Sequence, residues 1–277
     1  MIALLYLLTS VQAFEGTGNI DMFPPDPNFK RYFSVSSAQI LRPNTIQTTY
    51  DAYFWPNPSL YWRTKWIDIP VENRMVSHLG FAYAPLEKWS IAASLPLLNS
   101  QDIAGSSSKG RGDLLLQTKY GLISDEIPFF KLAIASDVTI PSGTAANLIG
   151  NETISIYPSL ITEFFTKNNR LRFALEAGYF FPRNQNAIEN GPKVGTGLGI
   201  QWNENLEVIS EYQRYSSEQI TYSNIGGGLQ YSRNIVTLQT MLIVPADPDL
   251  DVRNIQYNIG IQVLPSWEYQ SRDEDKD

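Results

Sequence analysis

The sequence predicts an all-β fold: a transmembrane antiparallel up-and-down barrel of about 12 strands, with short periplasmic turns and longer outer loops. Three observations predict it. Apolar and polar residues alternate with a period of two along most of the chain. Short and long connections follow one another between the alternating runs. An export signal precedes these runs, and no later apolar stretch reaches the length of a membrane-spanning helix.

The alternation is clearest in residues 170–181. On an extended strand, Leu171 and Phe173 fall on one face, whereas Arg172 and Glu176 fall on the other. A helix would instead mix these charges into the apolar stripe. Such runs are about 10 to 12 residues long, which suits a tilted strand that crosses a bilayer.

The connections support the same architecture. The predicted strands cover residues 45–55, 74–84, 89–98, 112–122, 128–140, 153–166, 170–181, 193–202, 206–216, 222–232, 235–244 and 255–264. Short links are predicted at 85–88, 124–127, 167–169, 203–205 and 233–234, and longer loops at 56–73, 99–111, 141–152, 182–192, 217–221 and 245–254. Tight turns at one end and longer loops at the other are typical of outer-membrane barrels. The even strand number predicts that both chain ends lie in the periplasm.

The first residues predict export. Residues 1–13 have an apolar core followed by small residues at Val11 and Ala13, which is the pattern of a signal peptide and its cleavage site. We therefore expect residues 1–13 to be a signal peptide and 45–264 to be the barrel. Residues 265–277 end in an acidic stretch, which we expect to be a solvated periplasmic tail.

Composition excludes several classes of function. The chain of 277 residues is 12% aromatic, only 18% charged, and carries a formal net charge of −7. A nucleic-acid partner is not expected, because phosphate binding needs a basic surface. Cysteine is absent and a single histidine is present. Disulfides, thiolate nucleophiles, and metal sites rich in cysteine or histidine are therefore excluded, and we expect no cofactor.

The chemistry of the two strand faces predicts which face meets lipid. A soluble, ligand-carrying barrel of the lipocalin type would turn its apolar face inward. A membrane barrel turns that face outward and lines its interior with polar groups. Aromatic residues near the strand ends favour the membrane barrel, because Tyr and Trp concentrate at membrane interfaces. These residues are Tyr83, Trp89, Tyr120, Trp202 and Tyr231.

One stretch carries a family resemblance. Residues 110–120 read GRGDLLLQTKY, and the next predicted strand ends in TIPSG at 139–143. This combination resembles the G-x-G-D-x(5)-K-Y … P-[ST]-G stretch of the outer-membrane transporter-like barrels of the phenol-degradation (meta-pathway) type. The resemblance is specific over residues 110–143 and is limited to the strand rhythm elsewhere. It implies a monomeric barrel and the uptake of small, often apolar molecules.

The inward face of the predicted barrel collects the candidate lumen and ligand-binding residues. They are Lys119, Lys131, Asp137, Arg172, Glu176, Glu207, Glu211, Gln213 and Tyr215. Glycines at 195, 197 and 199 and at 226 and 228 flank strand 206–216. Glycine weakens a strand, so these rows predict space for a large group. Extrapolated strand pairing sets Glu211 beside Gly197, with Glu176 one strand further along the wall.

Two interpretations of the acidic residues Glu176, Glu207 and Glu211 remain open. They form either a cation-selecting or ligand-binding site, or part of a filled lumen in which each acid pairs with a base. The candidate basic partners are Arg172, Lys119, Lys131 and Lys193. The leader at 14–44 is equally undecided. It contains a possible short strand at 33–42, and it could hang in the periplasm, pair with the wall, or enter the lumen as a plug.

Catalysis is not expected. Some outer-membrane enzymes use Ser and His in a barrel wall, and His78 follows Ser77 here. Adjacent residues on a strand face opposite sides, so Ser77 cannot serve His78.

Two functions follow from these observations. The first is an outer-membrane channel or transporter that passes small molecules through a narrow polar lumen. The second is a structural or surface-interaction barrel with a closed lumen. For either function the expected partners are outer-membrane lipid, lipopolysaccharide and the barrel-assembly machinery, with a small-molecule solute for the channel.

Overall fold

The computed structural model describes most of the predicted barrel. The described residues are 26, 32, 34–55, 60–62, 65–67, 71–103, 106–124, 126–143, 153–183, 190–217, 221–234, 236–246 and 256–263. The predicted signal peptide at 1–13, most of the leader at 14–33, the tail at 265–277 and part of each predicted outer loop lie outside these residues.

The described residues form β-strands joined by turns. The strands are β1 (Ile46–Trp55), β2 (Leu60–Trp62), β3 (Lys65–Ile67), β4 (Val71–Leu86), β5 (Trp89–Ile103), β6 (Ser106–Arg111), β7 (Leu114–Ile123), β8 (Phe130–Ile140), β9 (Ser155–Phe165), β10 (Leu171–Pro182), β11 (Gly191–Gln201), β12 (Leu206–Ser216), β13 (Thr221–Arg233), β14 (Val236–Pro245) and β15 (Gln256–Val263). No helix in the described part of the chain is long and apolar enough to cross a membrane.

The strands form a ring of antiparallel pairs. Consecutive wall strands pair from β7 to β15, and β5 pairs with both β6 and β7. The pairs β15–β1, β1–β4 and β4–β5 complete the circle. Strands β6 and β7 share one wall position, so the described wall has twelve positions. The predicted up-and-down arrangement and strand number are confirmed. Strands β2 and β3 form a separate small hairpin in the connection between β1 and β4.

The two faces of the wall have opposite chemistry. Phe173 is 41% exposed, whereas the adjacent Arg172 is 4% exposed. The same alternation runs along β1, β9 and β12. The apolar face therefore lies outside, where lipid would cover it, and the soluble lipocalin-type alternative is excluded. A closed ring suits this environment because lipid offers no hydrogen-bond partners to a sheet edge.

Asparagine residues form two of the short turns. Asn169 and Asn234 adopt positive φ angles of 54° and 53°. Asparagine tolerates this left-handed conformation better than other side chains that carry a Cβ atom, so the chain reverses direction within a few residues. Large aromatic side chains are exposed next to the short turns: Trp89, Tyr120, Phe129, Trp202 and Tyr231. They form the aromatic girdle expected at one membrane interface.

The prediction of a loop at 99–111 was wrong. Strand β5 continues to Ile103 and pairs with β6, so this segment is a long hairpin that extends the wall. Its sequence is polar on both faces, which removes the alternation used for the prediction. A hairpin that extends beyond the lipid needs no apolar face, because water can contact both sides.

Candidate functional site in the barrel lumen

A segment of the chain itself occupies the lumen. Residues 34–41, here called the plug segment, precede β1 and lie inside the ring of strands. Val35, Ser37 and Ala38 are at most 1% exposed. The segment runs along the inner surface of the wall from β12 towards β4. The chain then enters β1 after a turn at Asn44. In its described part from Ser34 to Leu41, the leader therefore lies in the lumen, whereas most of residues 14–33 lie outside the described residues.

Three glutamates, on β12, β10 and β9, bind the plug segment through hydrogen bonds. Glu211 on β12 accepts hydrogen bonds from the Ser34 amide (3.1 Å), the Ser34 hydroxyl (2.8 Å) and the Val35 amide (3.3 Å). Glu176 on β10 accepts one from the Ser36 amide (2.9 Å). A carboxylate is a strong acceptor for backbone N–H groups, and such charge-assisted bonds stabilise more than neutral ones.

The third glutamate continues the same pattern. Glu163 on β9 accepts hydrogen bonds from the Ser37 hydroxyl (2.6 Å) and the Ala38 amide (3.1 Å). The side chain of Glu163 is fully buried. Four backbone amides of the plug segment thus donate to wall carboxylates, where a strand would have donated to a neighbouring strand.

Lys119 on β7 also binds the leader. Its ammonium donates to the Ser37 carbonyl (2.9 Å) and lies 3.7 Å from the carboxylate of Asp26. Lys119 and Asp26 are both almost completely buried. Carboxylates therefore contact the amides of the leader, and an ammonium contacts a carbonyl and an acid of the leader. This complementarity reduces the cost of burying charge in the lumen.

Apolar contacts complete the fit. Val35 and Tyr32 cluster with Ala174, and Ala38 clusters with Ala133, Ala135 and Ile161. Further along, Leu41 clusters with three wall alanines, Ala82, Ala84 and Ala92. Small wall residues leave the volume that the leader side chains fill. The glycine row does the same, because a Cβ atom built on Gly197 would lie 2.7 Å from the Tyr32 ring and one on Gly195 would lie 3.1 Å from Val35. The predicted space for a large group at 195 and 197 is confirmed.

Every predicted lumen residue faces the interior by strand register and burial. Lys119, Arg172, Glu176, Glu207, Glu211, Gln213 and Tyr215 are buried, and Lys131 and Asp137 are half-buried. The predicted pairing of Glu211 with Gly197 is confirmed, and Glu176 pairs with Gly195 on the other edge of β11. A role of these residues in ligand binding stays a prediction.

Among the three acids, Glu207 is shown with a basic partner, and the cation-selecting or ligand-binding interpretation stays a prediction. Glu207 forms a buried ion pair with Arg172, as expected for a filled lumen. Glu176 and Glu211 contact the plug segment instead. Lys131 lies opposite Glu163 across the β8–β9 pair, and the Lys193 ammonium lies 4.9 Å from the centre of the Tyr157 ring.

Sequence reasoning missed Glu163 and left the arrangement of the leader undecided. Glu163 continues the inward series of Tyr157, Ser159 and Ile161 on β9, and that alternation could have identified it. The possible strand at 33–42 is wrong for its described part, 34–42, which forms bends. The physical reason is that the amides of this segment donate to wall carboxylates rather than to a neighbouring strand.

Ser77 and His78 point to opposite faces of β4, so they cannot act together as catalytic partners. His78 pairs across β1–β4 with Asp51 on the inward face, and its ring lies 5.7 Å from that of Tyr53. Ser77 pairs with Ala52 on the opposite face and exchanges hydrogen bonds with Asn99.

The two ends of the 110–143 stretch meet in the structure. Asp113 is 4% exposed and accepts hydrogen bonds from the amides of Ser142 (3.1 Å) and Gly143 (2.9 Å). The Ser142 hydroxyl donates to the Gly112 carbonyl (3.0 Å). A Cβ atom on Gly143 would lie 2.8 Å from the backbone of Gly112, so glycine is needed for this close approach. The stretch therefore ties the ends of β7 and β8 together.

Comparisons with solved structures identify the fold. The barrel is similar to an outer membrane channel from Pseudomonas putida, with 12% sequence identity and a TM-score of 0.66 over 84% of this chain and 100% of that chain. It is also similar to the KdgM porin in complex with disordered oligogalacturonate (10% identity, TM-score 0.55, 78% of this chain and 98% of that chain). A third similar structure is the NanC porin (10% identity, TM-score 0.53, 77% and 98%). No protein-family model matches the sequence, and a search of curated proteins gives no significant match. These similarities establish an outer-membrane β-barrel fold.

Proposed function

We propose that this chain is an outer-membrane channel for small molecules, with a narrow polar lumen that its own plug segment closes in the described state. The fold and the apolar exterior support a position in the outer membrane. The similar channel and porins support passage of solutes through the lumen.

The observation that carries the proposal is the way the plug segment is held. Glu163, Glu176 and Glu211 bind it through side chains, and the segment adds no strand to the wall. Removing it would therefore leave every described wall pair intact. The glutamates would then face water along the path. A row of carboxylates in a narrow pore attracts cations and repels anions, so the opened channel is cation-selective.

The test is current through planar bilayers. The wild-type barrel should conduct rarely, whereas Glu211→Gln should raise the open fraction about tenfold, because it replaces charge-assisted hydrogen bonds worth roughly 1.5–3 kcal/mol each with weaker ones. The matched control is Glu204→Gln in the exposed turn after β11, which should behave as wild type. In a potassium chloride gradient the reversal potential should indicate cation selectivity. Anion-selective currents, or equal effects of the two variants, would argue against the proposal.

The second candidate is a structural or surface-interaction barrel with a permanently closed lumen. The buried Arg172–Glu207 pair and the occupied lumen favour it. It predicts that Glu211→Gln lowers stability without producing current. The bilayer experiment therefore separates the two functions.

We further infer that the chain is related to the transporter-like barrels of the phenol-degradation type. The support is the 110–143 stretch, whose Asp113, Ser142 and Gly143 contact one another. The inference extends to a monomeric, non-enzymatic barrel that takes up small, often apolar molecules. Lipopolysaccharide and the barrel-assembly machinery are its proposed partners.

A further inference from the structure

A cavity of about 430 Å³ lies at the periplasmic mouth of the lumen. It is lined by residues of the short connections after β7 and β9 and by the ends of β8 to β11 that lead into or out of these turns. The plug segment contributes Gln39. The volume falls within the range of about 300–1,000 Å³ that small-molecule sites usually have.

The lining combines positive charge, amides and an aromatic ring. Lys131 and Arg172 supply the charge, Gln39 and Gln201 supply amides, and Phe165 supplies the ring. Within the part of the chain that the structure describes, the lining includes no carboxylate. The cavity borders the glutamates that bind the plug segment, because Glu163 lies opposite Lys131 across the β8–β9 pair.

The two charges and the ring lie side by side. Phe165 pairs with Arg172 across β9–β10, and the Lys131 ammonium lies 5.9 Å from the centre of the Phe165 ring. Arg172 is 4% exposed and is oriented by its ion pair with Glu207. Because this ion pair already fixes the guanidinium, binding of a planar anion costs little further side-chain entropy.

We propose that this cavity binds a small organic anion with one carboxylate on a flat apolar body, such as an aromatic carboxylate. The carboxylate contacts Lys131 and Arg172, and the body packs on Phe165 and on the apolar connection at Ile127 and Pro128. One carboxylate is favoured over several, because Glu207 pairs with Arg172 and Glu163 lies opposite Lys131 across the β8–β9 pair, which limits the positive charge at the cavity. The proposal concerns equilibrium binding at a site that borders the plug segment at Gln39, and it does not depend on conduction.

Isothermal titration of the refolded full-length barrel in detergent tests the proposal. Naphthoate should bind saturably at one site per barrel, whereas acetate and the neutral naphthamide should bind at least about tenfold more weakly. Lys131→Met should weaken naphthoate binding about tenfold, and Lys131→Arg should restore most of it. Phe165→Leu should weaken it several-fold. Lys88→Met is the matched control, because it removes a periplasmic charge outside the lining and should leave binding unchanged.

Several results would overturn the site. These are the absence of saturable naphthoate binding, equal binding of naphthamide, or equal losses in Lys131→Met and Lys88→Met when both variants keep the heat-modifiable migration of a folded barrel. Failure of the barrel to conduct would not affect these measurements, so the outcome here and the outcome for the channel function are distinguishable.

Discussion

At the scale of single residues, the shape of the lumen depends on glycine and alanine positions of the wall as much as on charged side chains. Gly195 and Gly197 provide the space for Val35 and Tyr32, and wall alanines provide it for Leu41. The glutamates then fix the backbone that these side chains belong to. The position of the plug segment therefore depends both on the space that small wall residues leave and on the hydrogen bonds that the glutamates accept.

A substitution at Gly197 tests the steric contribution. Gly197→Val would bring a side chain to within 2.7 Å of the Tyr32 ring, and overpacking of this kind costs roughly 1–3 kcal/mol. We expect the leader to leave its site more often. In a Val35→Cys background, whose cysteine is the only one in the chain, maleimide labelling should accelerate about tenfold.

The matched control for this experiment is Gly227→Val. Gly227 also lies within a wall strand, but a Cβ atom there meets no other atom within 4 Å. Labelling in this variant should match that of the parent. If both glycine variants accelerate labelling equally, general loosening of the wall rather than the contact with Tyr32 explains the effect.

At the scale of elements, strands were predictable and the leader was not. Lipid outside and polar groups inside impose a period of two on each wall strand, so β9, β10 and β12 could be located within one or two residues. The plug segment has no such period. Its position depends on Glu163, Glu176 and Glu211, which come together only when β9 to β12 pair side by side. The hairpin of β5 and β6 escaped prediction because it lacks an apolar face.

The short turns offer a pH-dependent prediction. Lys88, after β4, forms an exposed ion pair with Glu126, after β7. The hydrogen bond from Lys88, together with backbone hydrogen bonds, lowers the pKa of Glu126 from 4.5 to about 2, and the pKa of Lys88 is raised mainly by the same contact. Because the folded pKa of Glu126 is depressed, its stabilisation is present above pH 4.5 and is lost as the pH falls towards about 2.

Urea unfolding of wild type and Glu126→Gln between neutral pH and about pH 2 checks this prediction. The wild type should be slightly more stable at neutral pH, and the two midpoints should converge near pH 2. The difference should also shrink in high salt, because the pair is exposed to solvent. A difference that stays constant over the whole range would show that the ion pair is not its source.

At the scale of the whole molecule, a wall of paired strands encloses a segment that adds no strand to it. Each of the twelve wall positions is paired on both sides, so closure does not depend on residues 34–41. The sequence predicted the wall, the orientation of its faces and the lumen residues. It did not predict which arrangement the leader adopts, because the choice depends on contacts between residues as far apart as Ser34 and Glu211.

The most direct test of a lumen closed by its own leader is a reversible tether. A Cβ atom on Gly195 would lie 3.1 Å from a Val35 methyl carbon, so Gly195→Cys with Val35→Cys can form a disulfide in a chain that has no other cysteine. Combined with Glu211→Gln, this pair should give a barrel that is silent in planar bilayers when oxidised and conducts cations after reduction. Equal currents in both states would contradict the account, because the path would then not run through the space that the leader occupies.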